Sequence, residues 1–309
     1  MAFLSKDGRS TRVSEGLSQP HRGRKSRQQL PIGVFDSGSG GLTVLKELQA
    51  QLPRESFLYF GDTANVPYGT QPQANILGYS RQILDWMTQY PVKMAIMACN
   101  TSSALALDAV RSEFSIPILG IILPGARAAA VQGKRIGVIA TPATVASDSY
   151  QRAILEKNPQ AEVFQVACPE FVPLIEGNLI HEPATLEIVR QRLQPLLEAQ
   201  IDTLVYGCTH YPHLAPVIEE LLPKSVHIVN PAVRMAAATA QELSILQLHT
   251  SRRPQRPRFF VSGCPKQFAD LSKQWLGRRP WVDQVIFADG PETTPEISTA
   301  DATAEKIVL

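Results

Sequence analysis

Leu30-Pro-Ile-Gly-Val-Phe-Asp-Ser-Gly-Ser-Gly-Gly-Leu42 decides how the rest of the chain reads. An apolar run, Leu30–Phe35, stops at Asp36. A turn of serine and glycine follows, and then the amphipathic segment Leu42–Leu52. That order is strand, tight turn, helix. It recurs along the chain. Strands are predicted at Ser56–Phe60, Lys93–Ala98, Ile116–Ile121, Arg135–Ala140, Val163–Val166 and Thr203–Tyr206. Helices are predicted at Asn75–Gln89, Ser102–Phe114 and Gly125–Gln132, from Ala143 onward, and at Pro183–Gln200. Short, nearly all-apolar strands alternating with helices imply an α/β protein whose parallel sheet is buried on both faces.

The chain also echoes itself. Ile32-Gly-Val34 returns as Ile136-Gly-Val138, Val66-Pro67 as Val172-Pro173, and Cys99 with Thr101 as Cys208 with Thr209 and His210. The three echoes keep one order at offsets of 104, 106 and 109 residues. They predict two similar doubly wound domains related by a pseudo-twofold axis. The active site is then expected in the cleft between them, where strand C-termini face each other.

Composition fits a globular body. Of 309 residues, 44% are hydrophobic and 19% charged, enough for a sizeable core and too apolar for a mostly disordered chain. The longest apolar runs, Met94–Cys99 and Ile116–Leu123, are far shorter than the roughly 18 residues of a membrane span. Charge is uneven. Residues 1–30 carry seven Lys and Arg against Asp7 and Glu15, so they hold +5 of a net +2 and leave the body at −3. A near-neutral body excludes a dedicated nucleic-acid surface. The polar, aperiodic stretch 1–30 is expected to be a disordered basic arm. It has no apolar core of the secretory kind, and none of the four cysteines forms a CxxC, so free thiols in a reducing cytoplasm are expected.

Two of those thiols stand apart. Cys99, in Met97-Ala-Cys-Asn-Thr-Ser-Ser103, and Cys208, in Tyr206-Gly-Cys-Thr-His-Tyr-Pro212, each follow a strand in equivalent places of the two halves, with polar neighbours. A helix N-terminus favours the thiolate, so a lowered thiol pKa is expected at such a place. Paired thiols across a cleft suit stereoinversion at a carbon. One removes a proton from one face, the other delivers a proton to the opposite face, and the reverse reaction exchanges their roles. The turn Asp36–Gly41 offers backbone N–H groups to an anion such as a substrate carboxylate. It lacks the third glycine of a dinucleotide fingerprint and the lysine of a P-loop. Asp36 reads either as a group holding a proton, a thiol or an ammonium, or as a plain helix cap. Cys208, His210 and His213 form a rival set of metal ligands, which Pro212 and the lack of a fourth ligand disfavour.

Gly33-Val-Phe-Asp-Ser-Gly-Ser-Gly-Gly-Leu42, Tyr59-Phe-Gly-Asp-Thr-Ala-Asn-Val-Pro-Tyr-Gly69, Ala98-Cys-Asn-Thr101, Pro124-Gly-Ala-Arg127 and Gly207-Cys-Thr-His-Tyr-Pro212 together resemble the glutamate racemases, within the wider aspartate/glutamate racemase superfamily. The resemblance runs from about Pro31 to about Arg278. It implies an isomerase that interconverts L- and D-glutamate for peptidoglycan, needing no cofactor and no metal. Cys99 and Cys208 would be the acid/base thiols, Asp36 assisting the first and His210 the second, with the carboxylate of Glu176 near the second thiol. Substrate would be bound by Asp36, Ser37, Tyr68, Gly69, Asn100, Thr101, Thr209 and His210. The implied domains are residues 31–123 with 231–290, and 124–230, leaving a polar tail at 291–309. A cytoplasmic homodimer is expected, with no nucleic-acid or membrane partner, and a cell-wall nucleotide precursor is the regulator the family suggests. Leu123 stands where the family commonly has Glu, and Cys264 where many members are acidic. Cys168 and Cys264 fit no catalytic position and are expected to be structural.

Overall fold

The computed structural model describes residues 26–287 and, as backbone, the strands Glu296–Thr299 and Ile307–Val308. The strands are β1 (Ile32–Asp36), β2 (Phe57–Gly61), β3 (Met94–Met97), β4 (Ile118–Gly120), β5 (Arg135–Ala140), β6 (Glu162–Ala167), β7 (Thr203–Gly207), β8 (His227–Val229), β9 (Arg258–Val261), β10 (Val282–Ile286), β11 (Glu296–Thr299) and β12 (Ile307–Val308). They form two sheets, one in the order β12-β11-β10-β9-β2-β1-β3-β4 and the other in the order β6-β5-β7-β8. β1, β2, β3 and β7 are buried at every residue, as strands covered on both faces must be.

The sheets carry the duplication that the sequence echoes suggest. The order β2-β1-β3-β4 is repeated as β6-β5-β7-β8. Ile32 begins the pairing of β1 with β3, and Ile136 begins the equivalent pairing of β5 with β7. Cys99 follows β3 and Cys208 follows β7. The first sheet departs from a purely parallel one at its far edge, where β11 and β12 pair antiparallel. Nine residues separate Ile286 from Glu296. That is less than the roughly dozen residues a parallel crossover needs, so the chain can only fold back.

Two crossing segments join the sheets. Helix Ile122–Gln132 leads from β4 to β5, and helix Pro231–Ile245 leads back from β8 to β9. They meet where Gly125 has no side chain, since a Cβ there would lie 2.9 Å from Pro231. Leu45, Ala126 and Met235 from the covering helices share one buried core with Val34 of β1 and Ile136 of β5. The first crossing helix starts three residues earlier than the sequence pattern predicts, which places Leu123 in its first turn.

The helix predicted over Ser102–Phe114 is two, Asn100–Leu105 and Leu107–Glu113, broken at Ala106 (φ −126°, ψ −23°). Local hydroxyl bonds hold the first piece. Ser102 Oγ donates to the carbonyl of Cys99 at 3.1 Å, and Ser103 Oγ donates to that of Met97 at 3.0 Å. Both bonds anchor its first turn to the end of β3. The second piece answers instead to packing of Leu107 and Val110 in the core. Of the basic arm, residues 1–25 lie outside the described residues. Arg27–Gln29 form a 3-10 turn. The last residues, 291–309, are described only as the backbone of β11 and β12.

A buried ion pair fixes the end of the first sheet remote from the cysteines. Lys93 (0% exposed) donates to Glu55 (2% exposed), to the carbonyl of Leu248 at 2.8 Å and to that of Gln28 at 3.2 Å. Glu55 accepts from the Thr250 N–H at 3.1 Å. Removing one partner of such a pair strands the other charge in a dry site. Lys93→Ala is therefore expected to cost about 3–5 kcal/mol in urea denaturation. The double variant Lys93→Met with Glu55→Leu should recover much of that loss. A Lys93→Ala protein as stable as the unaltered chain would contradict this reading.

Candidate active site

A cleft of about 520 Å³ opens at the C-terminal ends of β3 and β7. Its wall brings together Ser37, Tyr68, Gly69, Cys99, Asn100, Thr101, Glu176, Cys208, Thr209 and His210. Every site residue predicted from the sequence therefore lines it except Asp36, which lies fully buried behind the wall. Both members of the Val-Pro echo, Val66-Pro67 and Val172-Pro173, line it too. A larger depression, about 610 Å³ beside Trp281 and Arg279, holds none of these residues. Cys99 is 6% exposed and Cys208 is 7% exposed, so each thiol shows only a small face to the cleft.

The turn after β1, which the sequence reading offers to a substrate anion, also serves Asp36. Its Oδ2 accepts from Gly38 N at 3.1 Å. Its Oδ1 accepts from Thr209 Oγ1 at 3.3 Å, which ties the first half of the chain to the second. The glycines serve close approach. A Cβ on Gly40 would sit 2.4 Å from both His210 Nδ1 and Thr209 Oγ1. Only the lack of a side chain lets the two loops meet.

The two thiols have opposite electrostatic surroundings. Burial, then the charge of Asp36, pushes Cys99 up to about 12, against weaker help from the Ser102 N–H and Ser37. This corrects the expectation of a thiol lowered by a helix N-terminus. The helix after Cys99 is only the six residues Asn100–Leu105, and desolvation outweighs its dipole. Burial likewise raises Asp36, opposed by the nearby His210 and by its hydrogen bonds. Beside Cys208 stands His210, with Nδ1 3.8 Å from the sulfur and Nε2 3.0 Å from Glu176 Oε1. Burial alone would lower His210. The bonds to Cys208 and Glu176 overcome it and lift the imidazole to about 10. A cation therefore flanks one sulfur and a carboxyl flanks the other.

His213, the rival metal ligand, stacks on Trp275 with ring centroids 3.5 Å apart. Among the described residues no three His, Cys, Asp or Glu side chains converge as a metal would require. Cys168 is buried in the cleft wall, and its thiol bonds the Val166 carbonyl at 3.6 Å. Cys264 is exposed and stands just before helix Pro265–Leu276, with no capping bond from its side chain.

Two residues escape the sequence reading. Thr141 lines the cleft, with its hydroxyl 3.0 Å from that of Thr101 and 3.0 Å from that of Thr144. Tyr150 donates its hydroxyl to Asn100 Oδ1 at 2.7 Å. Both contacts join the two halves. Thr141 follows β5 as Ser37 follows β1, at the same offset as the Ile-Gly-Val echo, so the repeat itself points to it.

His210 gives this geometry a direct check. Its imidazole resonances should show it still protonated well above neutral pH and titrating near 10, against an ordinary 6.5. Glu176→Gln should move that titration to lower pH. Because the folded value is raised, the stability this contact contributes is complete below about 6.5 and is lost as pH rises through about 10. A His210 that titrates near 6.5 in the folded protein would contradict the arrangement.

Comparison with known proteins agrees with the geometry. Residues 32–243 match the family described as Asp/Glu/Hydantoin racemase. A glutamate racemase of Nostoc sp. is 60% identical over 264 residues, which cover 85% of this chain and 90% of that protein. A glutamate racemase of Bacillus anthracis has a similar structure, with a TM-score of 0.81 and 37% identity over 84% of this chain and 98% of its own. The glutamate racemase of Francisella tularensis, solved in complex with D-glutamate, gives a TM-score of 0.79 and 34% identity over the same shares of the two chains. The chain is an isomerase and belongs to the Asp/Glu/Hydantoin racemase family.

Proposed function

We propose that this protein interconverts L- and D-glutamate by moving the Cα proton between Cys99 and Cys208, with no cofactor. We further propose that it does so as a cytoplasmic homodimer supplying D-glutamate for peptidoglycan, its lobes divided as residues 31–123 with 231–290 and 124–230. One observation carries the reading: thiols at equivalent positions of a duplicated fold line a single cleft. Stereoinversion asks for that, since each face of a carbon needs its own acid/base group. The glutamate named in the relatives supports the substrate.

The chain's own groups divide the work. Burial and the Asp36 charge favour the protonated form of Cys99. A bound α-ammonium would offset the negative charge of Asp36 and ease release of that proton. The Cα–H is a far weaker acid than a thiol, so the developing carbanion needs stabilisation. Ser37, Asn100 and Thr101 line the cleft and are of the type to donate toward a substrate carboxylate. A sulfur kept from bulk water is a stronger base, and both thiols are nearly buried. Glu176 holds protonated His210, which places positive charge beside Cys208.

Optical rotation with purified protein and each enantiomer tests the proposal. Racemisation in both directions without added cofactor is expected for glutamate, and little for aspartate or a hydantoin. Cys99→Ala and Cys208→Ala should each lower kcat on the order of 10²–10⁴-fold or more while leaving the melting transition intact. A fully active Cys208→Ala protein would refute the two-thiol scheme. Turnover of aspartate alone would refute the substrate.

A further inference from the structure

The motif Tyr59–Gly69 contains a buried acid that the chemistry above does not use. Asp62 is 1% exposed and does not line the cleft. Its carboxylate gathers three donors. Ser262 Oγ donates to Oδ1 at 2.6 Å, Asn65 Nδ2 bridges Oδ1 and Oδ2 at 3.0 and 3.1 Å, and the Tyr68 hydroxyl donates to Oδ2. Its backbone N–H donates to the carbonyl of Asp36 at 2.9 Å. The same serine accepts from Ala64 N at 2.9 Å, and Thr63 Oγ1 accepts from Gly263 N at 3.0 Å. The turn after β9 is thereby clasped to the loop after β2.

That loop carries Tyr68 and Gly69 into the cleft wall. The Tyr68 ring is 2% exposed and packs on Tyr79 with centroids 5.7 Å apart. Its hydroxyl has Asp62 as its partner. The next residue, Gly69, meets the other half of the chain, where a Cβ would sit 2.8 Å from Thr141. Displacing Tyr68 therefore displaces the backbone that faces Thr141 across the cleft.

We infer that Asp62 is a positioning residue for substrate binding: its carboxylate holds Tyr68, and through it the Tyr68-Gly69 wall, at the spacing the cleft needs, anchored by Ser262 of the C-terminal segment. The inference rests on the glutamate reading only for its substrate. The acid suits the task because it presents acceptors alone to three donors. An Asn at 62 would turn one acceptor into an N–H₂ group, so Asn65 loses one leg of its bridge and the hydroxyl facing the new N–H₂ must turn round from donating to accepting. Asp62 itself does not line the cleft and reaches it only through Tyr68, so binding should suffer more than proton transfer.

The test is steady-state kinetics of Asp62→Asn, Ser262→Ala and the double variant with each glutamate enantiomer, together with thermal melting. Asp62→Asn should raise KM about tenfold and change kcat less than about twofold. Ser262→Ala should raise KM in the same direction by less. The double variant should be no worse than Asp62→Asn alone, because both act through one network. If Asp62→Asn does not fold, Ser262→Ala decides alone. Unchanged KM in the variants that fold overturns the inference, as does a fall in kcat with KM intact, which is what mere loss of folded protein produces. The unaltered chain run in parallel separates the two ideas. Failure of that chain to turn over glutamate sinks the substrate reading, and an active chain whose variants match it in KM sinks only the role of Asp62.

Discussion

The site depends on the contact between two turns, one after β1 and one after β7. Gly40 lies so close to Thr209 and His210 that no side chain fits between them. Thr209 closes the contact by bonding Asp36, and Thr43 Oγ1 donates to the Thr209 carbonyl at 3.0 Å. This contact sets Cys208, one residue before Thr209, at the same cleft as Cys99. Without it the duplicated fold would present two separate thiols on two separate sheets. The cleft is a consequence of backbone proximity, and backbone proximity here is a consequence of glycine.

Symmetry of position does not bring symmetry of charge. The duplication places two sulfurs equivalently, but the side chains around them diverged. Cys99 faces a buried carboxyl and is held as a thiol. Cys208 faces an imidazole that Glu176 and the sulfur itself keep cationic. The proposed two-thiol scheme needs two groups alike enough to exchange roles, whatever their surroundings. Equivalent backbone sites supply the likeness, and Asp36 and His210 supply the difference. Burial adds to both, since the same desolvation that raises Cys99 makes its thiolate a strong base once formed.

Much of this was legible in the sequence because it is local or periodic. Strands β1, β3 and β7 are apolar runs that end at turn residues, and the two cysteines follow strands in both halves, so the repeat exposes them. What was hidden is whatever the fold decides at long range. The bond from Tyr150 to Asn100 spans fifty residues, and that from Ser262 to Asp62 spans two hundred. No spacing rule finds such pairs. The Asp36–Gly41 turn reads as an anion site by composition, whereas the bond from its Gly38 N–H to the Asp36 side chain is seen only in the fold. The Cys99 thiol shows the same limit. A helix N-terminus is visible in sequence, whereas the desolvation that outweighs it appears only when the lobes are packed.

Proton bookkeeping in heavy water tests the central claim most directly. Unlabelled L-glutamate is incubated with the protein in D₂O, the reaction is stopped at low conversion, and Cα labelling of both enantiomers is read by mass spectrometry after chiral separation. Transfer between two separate thiols gives D-glutamate fully deuterated at Cα while the remaining L-glutamate keeps its proton. D-glutamate that retains the original proton would mean that one group serves both faces, and the picture of Cys99 and Cys208 working from opposite sides of the substrate would be wrong.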